Sequence, residues 1–382
     1  MGDSYPLDAS TGGRARFRLA LLLRAWPLIA ALMVIALISA GLIFSKHGRP
    51  AVISALMLPD MMVDLPVRPI TWFTADPIVE RVSIDDGSSG GIFADIYRPP
   101  DADRHGVIVF SMGAPPLDLD DPRLVKLGED AARAGMVMVV PFSTRLDAEL
   151  IEPEEVDSLV GIFQYLEEQP YVDPGRVGYI GVSVGGSLAL LAAADPRIAE
   201  RVDYVVSFGG FFNALDTLEA VGSARMAYNG RVEAWEPDSH TVYVMACQIL
   251  DGGSDPCDRR LGTPEGRAAY DILNEGDPDR TRALLRDLSP SVRTKLDRLS
   301  PSQVIDGLQA EVFIIHDRGD AFIPYVESRR LRDALAGRDD VHFTEVSLFE
   351  HVEPRLGRGG DVLVLDGTRL YFRLYQLLLK LT

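Results

Sequence analysis

The sequence contains little cysteine and little positive charge, and each shortage excludes a class of protein. Two cysteines among 382 residues cannot supply the ligands of a closed structural zinc site, and no histidine near them in sequence completes one. Lysine and arginine total 38 against 56 acidic residues, a net charge of −18. Because nucleic-acid binding requires a basic surface, we expect no nucleic-acid partner. The shortage of cysteine and histidine ligands leads us to expect no metal. No internal repeat or low-complexity tract is evident.

One long uncharged stretch stands out near the amino terminus. Residues 26–44 carry no charged side chain and match the roughly 20 residues that span a bilayer. Arginines precede this stretch at positions 14, 16, 18 and 24, and Lys46 and Arg49 follow it. The positive-inside rule therefore predicts a single-pass membrane anchor with residues 1–25 in the cytosol, a linker over residues 45–76, and the rest of the chain extracytoplasmic.

A cleaved signal peptide is the main alternative to this anchor. The apolar region of a signal peptide measures about 7–15 residues, and Ile38 is large where a cleavage site after Ala40 requires a small residue. A buried helix of a soluble domain is the other alternative. The basic flank, the length and the position near the amino terminus disfavour a buried helix, so we expect an uncleaved anchor.

The stretch around Ser183 predicts a nucleophile. An apolar strand pattern over residues 177–182 runs into Gly181-x-Ser183-x-Gly185, and small, helix-forming residues follow. Strand, sharp turn and helix in this order are the context of a nucleophile elbow. Side chains at the two glycines would collide with the neighbouring strand and helix, so only glycine leaves room for the turn.

The lead-in to this turn, VDPGRV over residues 172–177, carries a family resemblance. The sequence resembles the α/β-hydrolase superfamily, in particular its dienelactone-hydrolase and prolyl-oligopeptidase-like branch, over about residues 77–212 and 308–382. Independently of the resemblance, a predicted hairpin over residues 79–98 is followed by strands that alternate with helices. This pattern predicts an α/β fold with a mostly parallel central sheet and helices on both faces.

Residues 213–307 interrupt the strand pattern. They contain helical segments and loops rich in Asp, Gly and Pro. Members of the resembled superfamily often carry a lid at this point, so the resemblance implies a helical cap over the site. A peripheral extension that does not contact the substrate is the alternative.

The resemblance also assigns an acid and a histidine. Asp320 precedes the Phe322-Ile323-Pro324 segment as the catalytic aspartate does in the family, while Asp317 is the rival acid and stands where relatives have glycine. His351 lies in the loop after the last predicted strand, where the family has its catalytic histidine. Ser183, Asp320 and His351 follow one another in the order of α/β hydrolases.

An oxyanion hole needs two preorganised N–H donors. One is expected from the backbone of Val184, directly after the nucleophile. The other is expected from the loop after the strand at residues 106–110, where relatives have His-Gly and this chain has Met112-Gly113. We expect Ala114 to donate, since Pro115 has no N–H.

The two cysteines, Cys247 and Cys257, lie in one loop-like region of the expected cap. A local disulfide between them is expected if the domain faces an oxidising compartment, and two unpaired thiols are the alternative.

These patterns together predict a membrane-anchored serine hydrolase. Its substrate would be a small-molecule or lipid-like carboxylic ester, cleaved through an acyl-enzyme on Ser183 without a cofactor or metal. Three alternatives stay open: a catalytically silent hydrolase fold that serves as a binding or scaffold module, an acyltransferase, and a peptidase or thioesterase that uses the same nucleophile. The sequence makes no prediction of the oligomeric state.

Overall fold

A computed structural model describes residues 33, 41, 45–63, 67–84, 92–251, 255–355 and 359–382. The predicted cytosolic tail over residues 1–25, and the predicted anchor over residues 26–44 apart from Met33 and Gly41, lie outside the described residues. Among the residues that are described, no helix is long and apolar enough to cross a membrane. The chain divides into two compact units, Met1–Ile53 and Ser54–Thr382, and the second contains the sheet.

An eight-stranded sheet forms the centre of the second unit. Its strands are β1 Ile78–Ile84, β2 Ile92–Arg98, β3 His105–Ser111, β4 Val137–Phe142, β5 Val172–Val182, β6 Tyr204–Phe208, β9 Glu311–Asp317 and β10 Val341–Val346. They lie in the order β1-β2-β4-β3-β5-β6-β9-β10. β2 is antiparallel to β1 and β4, and every other pair is parallel. This arrangement is the α/β-hydrolase fold that the sequence predicts.

Helices and short strands complete the described chain. The helices are α1 Gly48–Met62, α2 Pro122–Arg133, α3 Thr144–Asp147, α4 Glu154–Glu167, α5 Val184–Ala193, α6 Ala214–Ser223, α7 Ser239–Gln248, α8 Cys257–Leu261, α9 Pro264–Asn274, α10 Pro278–Arg286, α11 Pro290–Arg298, α12 Val326–Ala334 and α13 Gly360–Leu381, with 3-10 turns at Pro69–Trp72, Pro301–Gln303 and Ile305–Gly307. Two small hairpins pair β7 Arg225–Tyr228 with β8 Arg231–Ala234, and β11 Phe349–Glu350 with β12 Glu353–Pro354.

Helices cover both faces of the sheet, as the buried strands require. Phe163 of α4 stacks on Tyr179 of β5, with ring centroids 6.0 Å apart. Tyr97 of β2 lies in the row of paired residues one position before that of Tyr179, so its side chain lies on the other face. There it meets α2, because a Cβ at Gly128 would lie 2.5 Å from the Tyr97 ring.

The inserted region between β6 and β9 is mostly helical, as expected, but it also contains the β7–β8 hairpin, which the sequence reading missed. The turn is Asn229-Gly230, and both residues have positive φ, 50° and 75°. Asn-Gly is the pair that a two-residue hairpin turn favours, so the sequence did contain a signal for this hairpin. We call residues 213–307 the cap.

The carboxyl-terminal helix is longer than the sequence suggests. A helix over about residues 367–379 is expected, whereas α13 spans Gly360–Leu381. Its first two turns expose apolar side chains, including Leu363 and Val364, and so lack the amphipathic period that marks a packed helix. Buried Asp366 holds this part of the helix to the sheet, because its carboxylate accepts the Ser347 N–H at 2.8 Å.

Gln248 holds α7 of the cap to the loop between α3 and α4. Gln248 donates to the Glu149 carbonyl at 2.9 Å and accepts the Ile151 N–H at 3.2 Å. The structure joins Cys247, near the end of α7, to Cys257, the first residue of α8, in a disulfide. Both sulfurs are buried beside Leu150 of the same loop. The disulfide therefore lies where the cap meets the sheet domain.

Replacing both cysteines by alanine should lower the free energy of unfolding. The two residues are 10 positions apart, and closure of so short a loop contributes roughly 3 kcal/mol in the chain-entropy model. Denaturant unfolding followed by circular dichroism should give the same lowered midpoint for this variant and for wild-type protein in reductant. Alkylation of both thiols in unreduced, denatured protein, seen by mass spectrometry, would contradict the disulfide.

Candidate active site

Ser183 lies at the turn between β5 and α5, in a backbone conformation that few residues adopt. Its φ is 55° and its ψ is −134°. A non-glycine residue persists there only when its surroundings enforce the conformation. The Ser183 N–H donates to the carbonyl oxygen of Phe208 on β6 at 2.8 Å, which fixes the turn to the neighbouring strand. Ser183 as a whole is partly exposed to solvent.

The two glycines of the motif are required by backbone contacts. A Cβ at Gly181 would lie 2.2 Å from the carbonyl oxygen of Gly185, across the turn. A Cβ at Gly185 would lie 2.2 Å from the carbonyl oxygen of Ser111, at the end of β3. Backbone atoms cannot move aside as a flexible side chain can, so any larger residue at either position would open the turn.

His351 and Asp320 form a buried pair. Nδ1–H of His351 donates to Oδ2 of Asp320 at 2.7 Å, and Oδ1 accepts backbone N–H groups from Phe322 at 2.7 Å and Ile323 at 3.0 Å. Burial alone would raise the pKa of Asp320. Hydrogen bonds from His316 and His351 outweigh burial and hold this pKa well below its usual range, so the carboxylate is ionised at neutral pH.

The sheet brings this pair beside Ser183. Val182 is paired in register with Phe208, so the next residues of the two strands, Ser183 and Gly209, are neighbours at the carboxyl edge. A Cβ at Gly209 would lie 3.3 Å from Cε1 of His351, which places the imidazole directly over this glycine. The predicted nucleophile follows β5, the predicted acid follows β9 and the predicted histidine lies beyond β10. All three residues therefore lie at the carboxyl edge of these parallel strands.

The described residues contain no hydrogen bond between the Ser183 hydroxyl and His351. Nδ1 of the histidine is taken by Asp320, so Nε2 is the nitrogen left to act on the serine. Hydrogen bonds between a nucleophile and its base are often long before substrate binds and tighten in the complex.

Asp317, the rival acid, has a different position. It is fully buried, and its two oxygens accept the N–H groups of Gly319 and Phe349, each at 2.7 Å. These bonds tie the loop that carries Asp320 to the loop that carries His351. Asp317 therefore braces the two loops, while Asp320 is the residue paired with His351.

The loop after β3 passes alongside the nucleophile. A Cβ at Gly113 would lie 3.1 Å from Cβ and 3.4 Å from Oγ of Ser183, so this loop forms one wall of the site. Val184 is the first residue of α5, where a backbone N–H has no carbonyl four residues earlier in the helix to bind and can instead bind an anion. Ala114, the other predicted donor, follows Gly113 and precedes Pro115 across a cis peptide bond. Its role as a donor stays a prediction.

The cap contacts the acid loop directly. Trp235 donates from Nε1 to the Asp320 carbonyl at 2.8 Å, and the Asp238 N–H donates to the Ala321 carbonyl at 2.7 Å. The ring of Phe322, in the same loop, stacks on His351 with centroids 4.8 Å apart. These contacts join the cap to the acid loop, and a cap that covers the site stays a prediction. The sequence reading did not single out Trp235, because nothing in the sequence relates the cap to the acid loop.

Comparisons with known proteins return distant structural similarity only. No family model matches the chain, and no curated protein matches it. Among solved structures, an esterase from the archaeon Pyrobaculum calidifontis is 17% identical, with 91% of this chain and 96% of that chain covered and a TM-score of 0.46. A 2,6-dihydroxy-pseudo-oxynicotine hydrolase is 14% identical, with 79% and 68% covered and a TM-score of 0.47.

A Pyrococcus horikoshii acylaminoacyl peptidase is 15% identical, with 80% of this chain and 41% of that chain covered and a TM-score of 0.48. The chain thus spans about two fifths of the length of this peptidase. Similarity at this level is compatible with several activities, and the fold follows from the strand order itself.

Replacing Asp320 by asparagine should lower kcat by roughly 10⁴-fold, because an amide in this position favours the wrong tautomer of the histidine. Asp317→Asn is the matched control, since it alters a neighbouring buried carboxylate that braces the loops. We expect it to lower the melting temperature and to retain most of the activity. Steady-state kinetics and thermal unfolding of both variants check this, and the reverse ranking of their activities would transfer the acid role to Asp317.

Proposed function

We propose that this chain is a serine hydrolase that cleaves carboxylic esters. The observation that carries the proposal is the position of Ser183, on a strained turn at the sheet edge where His351 is paired with an ionised Asp320. A serine hydroxyl is a weak nucleophile near neutral pH and needs an adjacent base, which a third group must orient. The arrangement offers each of these parts in the required order.

In the proposed reaction, Oγ of Ser183 attacks the ester carbonyl while Nε2 of His351 takes the hydroxyl proton. The oxyanion is stabilised by the Val184 N–H and by a donor from the loop at residues 111–116. His351 then gives its proton to the leaving alcohol as the carbon–oxygen bond breaks, which leaves an acyl-enzyme. Water, activated by the same histidine, releases the acid and restores Ser183.

An ester is proposed ahead of an amide because its alkoxide leaves more easily, so the site needs less exact placement of the leaving group. The structural neighbours include both an esterase and peptidases, so peptide cleavage is the second activity to test. Acyl transfer to another alcohol shares the same acyl-enzyme and differs only in the acceptor. The partial exposure of Ser183 argues against a permanently closed, silent module.

We propose further that residues 26–44 anchor the enzyme in a membrane, with the catalytic unit extracytoplasmic. Support comes from the uncharged sequence and its basic flank. A disulfide between Cys247 and Cys257 fits an oxidising compartment. Trp72 and Phe73, which are 67% and 76% exposed, are aromatic residues of the kind that lie at membrane interfaces.

A fluorophosphonate probe tests the nucleophile. We expect the probe to label the purified full-length protein in detergent and to fail with Ser183→Ala, because the probe reacts only with an activated serine. Ser239→Ala, which removes an exposed serine of the cap, is the matched control and should be labelled like wild type. Absence of labelling in folded wild-type protein would contradict the proposed function.

Unlabelled protein from a preparation that reacts with the probe can then be assayed with p-nitrophenyl esters of increasing acyl length and with peptide p-nitroanilides. Turnover of the esters alone supports an esterase, and preferential turnover of the anilides would replace it by a peptidase. Product analysis in the presence of added alcohols measures the share of acyl transfer.

The anchor is tested by fractionation of cells that express the full chain. We expect the protein to stay in the membrane pellet after alkaline carbonate extraction, since a spanning helix is not released by loss of electrostatic contacts. Protease added to intact cells lacking an outer barrier should digest the catalytic unit. Release into the carbonate supernatant would contradict the anchor, and protection from the protease would contradict the orientation.

A further inference from the structure

A second histidine contacts the carboxylate of Asp320. His316, on β9, is fully buried, and its Nε2 lies 3.1 Å from Oδ2 of Asp320. The same oxygen accepts the Nδ1–H of His351 at 2.7 Å. A catalytic triad requires only one imidazole on its carboxylate. The second therefore needs its own explanation.

The surroundings of His316 define where its proton lies. Nε2 is also 3.1 Å from the carbonyl oxygen of Ile323. A carbonyl oxygen only accepts hydrogen bonds, so Nε2 carries the hydrogen and donates it to Ile323, while Oδ2 of the Asp320 carboxylate lies at the same distance from this nitrogen. Nδ1 is buried and has no hydrogen-bond partner among the residues the structure describes. A hydrogen on Nδ1 would be buried without an acceptor, so the ring donates through Nε2.

The other charged groups near His316 are already paired. On β10, Glu345 is its partner in register, and both oxygens of this carboxylate are bound by Arg329 of α12, one of them at 2.9 Å. On the acid loop, Asp320 faces it directly, and His351 shares that carboxylate. The Asp320 carboxylate is therefore the charge that His316 acts on.

We propose that His316 is a positioning residue of the active site, whose Nε2–H fixes Oδ2 of Asp320 and takes up part of its negative charge. As a statement about catalysis this rests on the proposed function. Without this donor the charge would fall on His351 alone, which favours the imidazolium form. His351 would then gain its proton at a higher pH and lose its capacity to act as a base there.

Three substitutions separate positioning from packing. His316→Leu removes the donor, His316→Gln offers an amide N–H at the place of Nε2, and His316→Asn is polar but too short to reach Oδ2. We expect the dependence of kcat/KM for a p-nitrophenyl ester on pH to change in two of the variants. In His316→Leu and His316→Asn the midpoint of the acid limb should lie about one pH unit higher than in wild type. We expect His316→Gln to return the limb toward the wild-type position and KM to stay unchanged in all three variants.

A second readout does not require turnover. The Nδ1–H of His351 should give a downfield proton NMR resonance, assigned by its loss in His351→Ala, and its change with pH should show the same ordering of midpoints. Equal midpoints in wild type, Leu, Gln and Asn would overturn the proposal. A packing residue would lower the melting temperature of the variants without moving the midpoint.

A variant that does not fold can be distinguished from a failure of the proposed function. If His316→Leu does not fold, the comparison of Gln with Asn decides, because only Gln restores the donor. If folded wild-type protein neither turns over esters nor reacts with the fluorophosphonate probe, the proposed function fails. The NMR midpoints then still decide whether His316 controls the protonation of His351.

Discussion

The buried carboxylate of Asp320 joins parts of the chain that are far apart in sequence. Its oxygens accept two backbone N–H groups from its own loop and the ring N–H of His351, and Nε2 of His316 lies 3.1 Å from Oδ2. Its backbone carbonyl accepts from Trp235 of the cap. A buried charge is tolerable only when such donors surround it. Because they outweigh burial, the ionised carboxylate stabilises the fold at neutral pH, and this contribution is lost only as strong acid protonates it.

The parallel sheet is the frame that makes this network possible. Adjacent parallel strands end at one edge of the sheet. Ser183 after β5, Gly209 after β6 and the acid loop after β9 therefore lie close together because of the strand pairing itself. Asp317 then binds the acid loop to the histidine loop. The cap adds hydrogen bonds to the same acid loop, which couples its position to that of the acid.

The sequence was informative where a local pattern implies a local structure. Gly181, Ser183 and Gly185 predicted the turn because a strand and a helix flank them, and the loops of Asp320 and His351 follow apolar strands. His316 was not identified as functional, since a histidine within an apolar strand looks like a structural residue until its contacts are known. Trp235 was not identified either, because its contact with the acid loop is visible only in the structure. Both act through contacts between distant segments, which spacing in one chain cannot reveal.

The central claim is that His351 and Asp320 activate Ser183 for covalent chemistry. Rapid acid quench of the full-length enzyme with an activated ester, followed by peptide mass spectrometry, measures this most directly. The account predicts a transient acyl adduct on the peptide that contains Ser183, which water removes and which Ser183→Ala and Asp320→Asn suppress. Turnover without an adduct, or an adduct on a different residue, would contradict it.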